Sequence, residues 1–286
     1  MLTEPSFVVP ATVEEAVAAL ADEEAVAVAG GTSIGLLVGQ GLLAPSVLVW
    51  LGRIPEMAEV AVRDGSLVLG AGVTLWDLAA HPDVRRHLPA LADAAGSVGN
   101  VRVRAVATVG GALVHADPRQ DLPPVLIAYD AHVEVAGPGG RRHLSVDELA
   151  TGFMSTSLAP GEVVTSVVVP LVADRRGLYR RFTPGSSDDY PTVGVAAAVT
   201  VAEGNIVGAR VVVGGAGPRA FLISEADALI GTPVYRAPLA RVAAGAAAQA
   251  EPVDDRLGSA AYKRRMAAVW VRRVLEELDL APDTER

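Results

Sequence analysis

Short apolar runs alternate along the chain with polar or glycine-bearing breaks, and the spacing of the apolar positions changes from run to run. Val13, Ala16, Val17 and Leu20 recur at the helical period. Thr12 is placed to cap that helix, and Glu15, three residues on, to complete a capping box. Ala25–Ala29 is a strand-length run that passes straight into Gly30-Gly31-Thr32-Ser33, and Ser46–Trp50 is a further strand. The opening of the chain therefore reads as strand, glycine-rich loop, helix, strand. Glu59–Val62 and Ser66–Leu69 read as paired strands, because Arg63-Asp64-Gly65 between them carries the Asp-Gly hairpin signal. Thr74 is the expected cap of a short helix with Asp77 at its third position, and Leu88–Ala95 is expected to be helical up to Gly96. Val106–Val109 reads as a strand leading into Gly110-Gly111. Ala131–Ala136 alternates as a strand should, and Val163–Val169 is a β-branched run ended by Pro170.

Ala173-Asp174-Arg175-Arg176-Gly177 is the best linker candidate. Beyond it, Gly194–Ala202 and Asn205–Val213 read as strands joined at Glu203-Gly204, and the rest as helical: Ser224–Leu229, Pro238–Ala250 and Tyr262–Leu278. A chain of 286 residues suggests one large domain or two ordinary ones.

Composition narrows the function by exclusion. With 33 acidic against 24 basic residues the net charge is −9, which opposes a bulk electrostatic grip on nucleic acid or an anionic membrane. The absence of cysteine excludes disulfides, thiolate zinc sites, a cysteine nucleophile and any cysteine-ligated iron–sulfur cluster within this chain. The apolar runs are far shorter than the roughly 20 residues of a membrane-spanning helix. The first residues lack the basic and apolar segments of a secretion signal, so a cytoplasmic protein is expected.

Two glycine pairs are the candidate chemistry: Gly30-Gly31 in Val28-Ala29-Gly30-Gly31-Thr32-Ser33-Ile34, and Gly110-Gly111 in Thr108-Val109-Gly110-Gly111-Ala112. Each follows a short Val/Ala run and has a hydroxyl residue beside it. Such a loop can aim several backbone N–H groups at one anion, as a diphosphate requires. Either pair alone reads more readily as a tight turn. Neither is a phosphate loop of the Walker type, since no Lys-Ser/Thr follows, and neither has GxGxxG spacing. His115-Ala116-Asp117 and Asp188-Asp189 read as loop or turn residues rather than metal or proton-transfer sites. Arg141-Arg142-His143 and Lys263-Arg264-Arg265 read as solvated faces, with a partner contact as the alternative.

The second pair lies in a longer string, Arg104-Ala105-Val106-Ala107-Thr108-Val109-Gly110-Gly111-Ala112, continuing through His115-Ala116-Asp117-Pro118 to Asp121-Leu122-Pro123. This string resembles the second flavin motif of the FAD-binding medium subunit of molybdenum hydroxylases, the xanthine dehydrogenase and aerobic carbon monoxide dehydrogenase family. That motif runs IRN-x-AT-hydrophobic-GGN and then (S/A)DL-x-P. Ala29-Gly30-Gly31-Thr32-Ser33 resembles the family's first motif. Tyr179-Arg180-Arg181-Phe182 and Asp189-Tyr190-Pro191 resemble the start of its C-terminal domain, so the resemblance spans essentially the whole chain.

The resemblance implies an α+β fold. Residues 1–172 would form a vanillyl-alcohol-oxidase-type (PCMH-type) FAD-binding domain, in subdomains of about 1–56 and 57–172. Residues 177–286 would form a small C-terminal α+β domain. It implies that Ala27, Val28, Ala29, Gly30, Gly31, Thr32, Ser33 and Ile34, with Thr108, Val109, Gly110, Gly111 and Ala112, cradle the FAD diphosphate. Asp121 would bond a sugar-like hydroxyl of the cofactor. Val164 would contact FAD through its backbone, Arg181 would lie near it, and Tyr190 would cover the isoalloxazine. No residue of this chain is expected to be catalytic, and no metal is expected. The expected partners are a molybdopterin-binding large subunit and a small subunit with 2Fe–2S clusters, with NAD, a quinone or oxygen as external electron acceptor. A stand-alone FAD oxidoreductase and a scaffold that has lost FAD are the alternatives. Ala105 and Ala112 motivate them, because they replace the asparagines of IRN and GGN and so remove two side-chain amides.

Overall fold

Parallel strands need a crossover between them, and the first part of the chain supplies it twice. In the computed structural model, which describes residues 4–278, β1 (Ser6–Val8), β2 (Ala25–Val28) and β3 (Val47–Trp50) form a parallel sheet in the order β1-β3-β2. Helix α1 (Val13–Ala19) connects β1 to β2, and α2 (Thr32–Gly39) connects β2 to β3. Thr12 caps α1 as expected, its Oγ1 accepting from the Glu15 N–H at 3.1 Å. Glu15 reaches one residue further back than a capping box requires, accepting from the Ala11 N–H at 2.7 Å.

The next unit is antiparallel. β4 (Val60–Arg63) and β5 (Ser66–Gly70) turn on Asp64 and Gly65, whose φ values of 47° and 73° are those of a type I′ hairpin. Helices α3 (Leu75–Ala80), α4 (Pro82–His87), α5 (Pro89–Ser97), α6 (Val101–Arg104), α7 (Val109–Val114) and α8 (Leu122–Ala128) follow. The chain then returns as β6 (His132–Gly137), β7 (Gly140–Ser145), α9 (Val146–Leu149), the small hairpin β8 (Ala150–Gly152) and β9 (Ser155–Thr156), and β10 (Val163–Pro170). The sheet order is β4-β5-β10-β6-β7. Its core is aliphatic, with Leu67, Leu69, Val133, Val135, Val167 and Val169 excluded from solvent.

β11 (Arg175–Phe182), β12 (Val193–Ala202), β13 (Asn205–Gly214) and β14 (Phe221–Leu222) make an antiparallel sheet in that order. Helices α10 (Leu239–Gln249) and α11 (Ala260–Glu277) pack Val242, Ala246, Val271 and Val274 against Val195, Val199, Val211 and Val213 on one face. Ala196, Ala198 and Val212 on the other face join the core that contains α5 and α8. Burial on both faces explains why β12 is apolar from Val193 to Val199 rather than alternating.

Several expectations need correction. Val106–Val109 is not a strand: the segment is a turn followed by the start of α7, with Thr108 as its cap. The linker candidate is structured from Arg175 onward, because β11 pairs with β12 from Arg175↔Thr200. Helix α5 runs past Gly96 to Ser97, and the C-terminal part includes β14 before its helices. Lys263 is not on a solvated face. It is buried, with Nζ 2.7 Å from Asp255 Oδ1 and donating to Val253 O at 2.9 Å. Of the residue ranges expected for the two domains, 1–3 and 279–286 lie outside the described residues.

Candidate functional site

The first glycine loop leaves β2 at Val28 and enters α2 at Thr32. Gly31 holds the left-handed conformation, φ 72°, that lets the chain turn there. It occupies the N-cap position and has no side chain to cap with. The N–H groups of Thr32, Ser33 and Ile34 therefore have no helical acceptor, and they find none elsewhere among the described residues. The loop is braced from behind, since Trp50 Nε1 donates to Ala29 O at 3.2 Å and Phe7 stacks on the Trp50 ring.

Gly30 answers a different need. A Cβ at this position would lie 1.8 Å from Val106 O and 3.0 Å from Ala107 Cα. The first loop thus packs backbone to backbone against the residues leading into the second, although some 75 positions separate them in sequence. The spacing alone did not reveal this contact.

The second loop has a distinct role. Leu75 donates to Ala107 O at 2.8 Å, Val109 to Val73 O at 3.0 Å and Gly110 to Ala71 O at 2.8 Å. Gly111 donates to the Thr108 hydroxyl at 3.2 Å, and Ala112 to Thr108 O at 2.9 Å. The N–H groups of Val109 to Ala112 are therefore already engaged. Most of the free backbone donors belong to the first loop; the second keeps only the Thr108 N–H without an acceptor among the described residues and otherwise fixes the wall behind the first. Gly110 is needed for close approach, since a Cβ there would meet the Ala71 Cβ at 2.7 Å. Ala71 in turn donates to Thr165 O at 2.9 Å, which sets Val164 on β10 beside this wall. Of the two departures from the family's pattern, Ala105 is exposed and Ala112 is buried. The two buried side-chain atoms without a hydrogen bond among the described residues, Arg181 Nε and Thr192 Oγ1, belong to neither loop.

A second cluster joins the loop after α7 to β11. Asp121, 3% exposed at the head of α8, accepts from the Tyr179 hydroxyl at 2.6 Å. Arg181 Nε lies 3.4 Å from the same carboxylate oxygen, while its terminal nitrogens donate to Ser97 O and Asp189 O. Burial pushes the Asp121 carboxyl up to about 6, against the Arg181 charge and the Tyr179 bond, which both favour ionisation. Tyr190 is 37% exposed, with the Arg119 guanidinium 4.9 Å over its ring. Arg119 also clamps Asp117, donating from Nε at 2.9 Å and Nη2 at 2.7 Å. Burial raises the Asp117 carboxyl, but those bonds and the Arg119 charge together hold it below the usual range. Burial lowers the His115 pKa, which favours the neutral ring. Among the described residues no three His, Cys, Asp or Glu side chains are grouped to hold a metal ion, and no helix is long and apolar enough to cross a membrane.

The expected site residues thus fall into two groups. The first comprises both glycine loops with Val164 behind them. The second comprises Asp121 and Arg181, with Tyr190 alongside. Sequence reasoning missed the parts played by Tyr179 and Arg119. Tyr179 was detectable in principle, because it lies two residues before Arg181 and so on the same face of one strand.

Comparison with known proteins agrees with this architecture. Residues 3–172 match the family described as the FAD binding domain in molybdopterin dehydrogenase, and residues 179–278 match the CO dehydrogenase flavoprotein C-terminal domain. The chain is 33% identical to the 6-hydroxypseudooxynicotine dehydrogenase complex subunit alpha of Paenarthrobacter nicotinovorans, over 95% of this chain and 94% of that protein. It superposes on a chain of the carbon monoxide dehydrogenase of Hydrogenophaga pseudoflava with a TM-score of 0.93 and 31% identity, covering 97% of this chain and 98% of that one. A chain of quinoline 2-oxidoreductase from Pseudomonas putida 86 gives a TM-score of 0.90 at 29% identity, covering 97% and 98%.

Proposed function

Since this chain belongs to the family of FAD-binding medium subunits of molybdopterin dehydrogenases, we propose that it is the electron-transfer flavoprotein of a three-part hydroxylase. Its partners are a molybdopterin-binding large subunit and a small subunit carrying 2Fe–2S clusters. When bound, FAD would supply the redox chemistry between those clusters and an external acceptor such as NAD, a quinone or oxygen. A chain without cysteine suits this division, because the clusters must then be ligated elsewhere. Its own residues bind and orient the cofactor, and none is assigned a proton-transfer step.

The observation that carries the reading is the open row of N–H groups at Thr32, Ser33 and Ile34, held in place by the Gly30–Val106 contact. A helix N-terminus with unpaired N–H groups suits a diphosphate. The Thr32 and Ser33 hydroxyls add further donors. Thr108 Oγ1, used as an acceptor by Gly111, keeps its own O–H to donate. Asp121 offers a carboxylate to a cofactor hydroxyl, and the orphaned Arg181 Nε and Thr192 Oγ1 are buried polar atoms in keeping with a polar ligand at the seam between residues 1–172 and 177–286. Val164 and Tyr190 complete the binding set, the latter as the cover of the isoalloxazine.

The test is a visible spectrum of the purified full chain before and after incubation with FAD and desalting. Oxidised-flavin bands at about one equivalent, released as FAD on denaturation, are expected for a single diphosphate cradle. A protein that stays colourless refutes the reading.

A further inference from the structure

The proposed flavin site uses Asp121 and Arg181 and leaves one neighbour without a role. Tyr179 is a buried phenol on β11, and its hydroxyl donates to Asp121 Oδ1 at 2.6 Å across the seam between the two parts of the chain. Arg181 Nε is nearest to that same oxygen. Asp121 Oδ2 accepts no hydrogen bond among the described residues, although the side chain is only 4% exposed. Oδ2 is not among the buried atoms left without a partner, so it keeps an opening through which a donor from outside the chain can reach it.

The phenol has been given room to reach this position. Gly194, the cross-strand partner of Arg181 on β12, has no side chain, and a Cβ there would lie 2.5 Å from the Tyr179 hydroxyl and 3.3 Å from the ring. One residue supplies the donor and another, by its smallness, the space for it.

We propose that Tyr179 is a positioning residue for the flavin site: by holding Oδ1 of Asp121 it presents Oδ2 to a sugar-like hydroxyl of the nucleotide, so that the C-terminal sheet sets how tightly the N-terminal domain holds FAD. This rests on the FAD reading above. A phenol has one proton to give, and spending it on Oδ1 fixes the rotation of the carboxylate. The groups that interact with Asp121 are Tyr179 and Arg181 from β11 and Tyr190 from the segment before β12, while Asp117 and Arg119 of the loop before α8 act on Tyr190.

The experiment is a fluorescence titration of the full-length apoprotein with FAD, for wild type, Y179F, G194A and the double variant, at several pH values. Y179F keeps the ring and is expected to weaken FAD binding about tenfold, the worth of one hydrogen bond to a charged group. G194A keeps the hydroxyl but fills its space, so it weakens binding in the same direction, and the double variant is no weaker than the poorer single one. In the wild type, affinity falls on acidification through about 6, as Asp121 takes up a proton. In Y179F the fall begins at higher pH, because a bond that favours the ionised carboxylate is gone. A looser packing that admits water would relieve the burial of Asp121 and move that midpoint the other way, to lower pH. If Y179F does not fold, G194A carries the same comparison. Wild-type affinity and an unmoved pH profile in either folded variant overturn the positioning role and leave FAD binding standing. A wild type that binds no FAD overturns both.

Discussion

Replacing Gly30 by alanine puts a methyl group where the two glycine loops meet. Its Cβ would lie 1.8 Å from Val106 O and 2.5 Å from Val106 C. Both obstacles are backbone atoms, so no side-chain rotation relieves them, and one loop must retreat by more than an ångström before the contact is tolerable. Overpacking costs about 1–3 kcal/mol, and an obstacle of backbone puts this site at the upper end. At about 2–4 °C per kcal/mol for chains of this size, the apoprotein should melt roughly 6–12 °C lower. Withdrawal of the first loop also moves the free N–H groups of Thr32 to Ile34, so FAD affinity should drop along with stability. Gly35→Ala is the internal control. It lies in α2, the helix that the loop enters, with nothing within 4 Å of the added Cβ. There alanine should gain about 0.5–1 kcal/mol of helix propensity and raise the midpoint slightly. Differential scanning fluorimetry with and without FAD reads both effects. A Gly30→Ala protein that melts with the wild type and binds FAD equally well would show that the loops do not meet as described.

Two further outcomes follow from buried charge. Because burial raises the Asp121 carboxyl from 3.8 to about 6, the native state keeps a proton that the unfolded chain has shed between those values. Stability present below the lower value is therefore lost as pH rises through the higher one, by about 3 kcal/mol for a shift of this size. Asp121→Asn, which still accepts from Tyr179, should flatten that slope in urea denaturation across the acidic range, and an unchanged slope counts against the assignment. Lys263→Met keeps the buried stem of the side chain but strands Asp255 and Val253 O. It should cost about 1–3 kcal/mol in the same assay and leave FAD affinity unaltered. A loss of FAD affinity there would mean that α11 supports the cofactor site.

Local signals in the sequence were reliable where one residue decides the geometry. Asp64-Gly65 made its hairpin, and Thr74 and Thr12 capped their helices, because turn and cap chemistry acts over three or four positions. The reading failed at Val106–Val109. Its β-branched composition suggests a strand, whereas Val109 and Gly110 are held by Val73 O and Ala71 O and Thr108 caps a helix. The Thr108 to Gly111 spacing was the competing signal. Arg175 and Arg176 made a strand look like a linker, since a β-edge rich in arginine resembles solvated chain. Arg175 in fact donates to Tyr129 O at 2.9 Å. The glycine motifs located both loops, but the contact of Gly30 with Val106 and the bond from Tyr179 to Asp121 are long-range, and no periodicity along the chain encodes them.

The composition of the two loops bears on how an anion would be held there. Neither Ala27–Ile34 nor Thr108–Ala112 contains a lysine or arginine. On the FAD reading, the diphosphate charge is met by N–H dipoles and by the positive end of α2, equivalent to about half an elementary charge. Arg181 does not substitute for them, because its terminal nitrogens are committed to Ser97 O and Asp189 O. Backbone N–H groups do not titrate and have no counter-charge to lose. On the FAD reading, acid sensitivity of FAD binding near pH 6 is therefore expected from Asp121 and not from the cradle. The two halves of the cofactor are then held by different physics. Fixed dipoles grip the diphosphate through the first loop and are indifferent to pH. On the same reading, Asp121 at the seam, held by Tyr179 and Arg181 of the C-terminal sheet, would decide how firmly the remainder is seated.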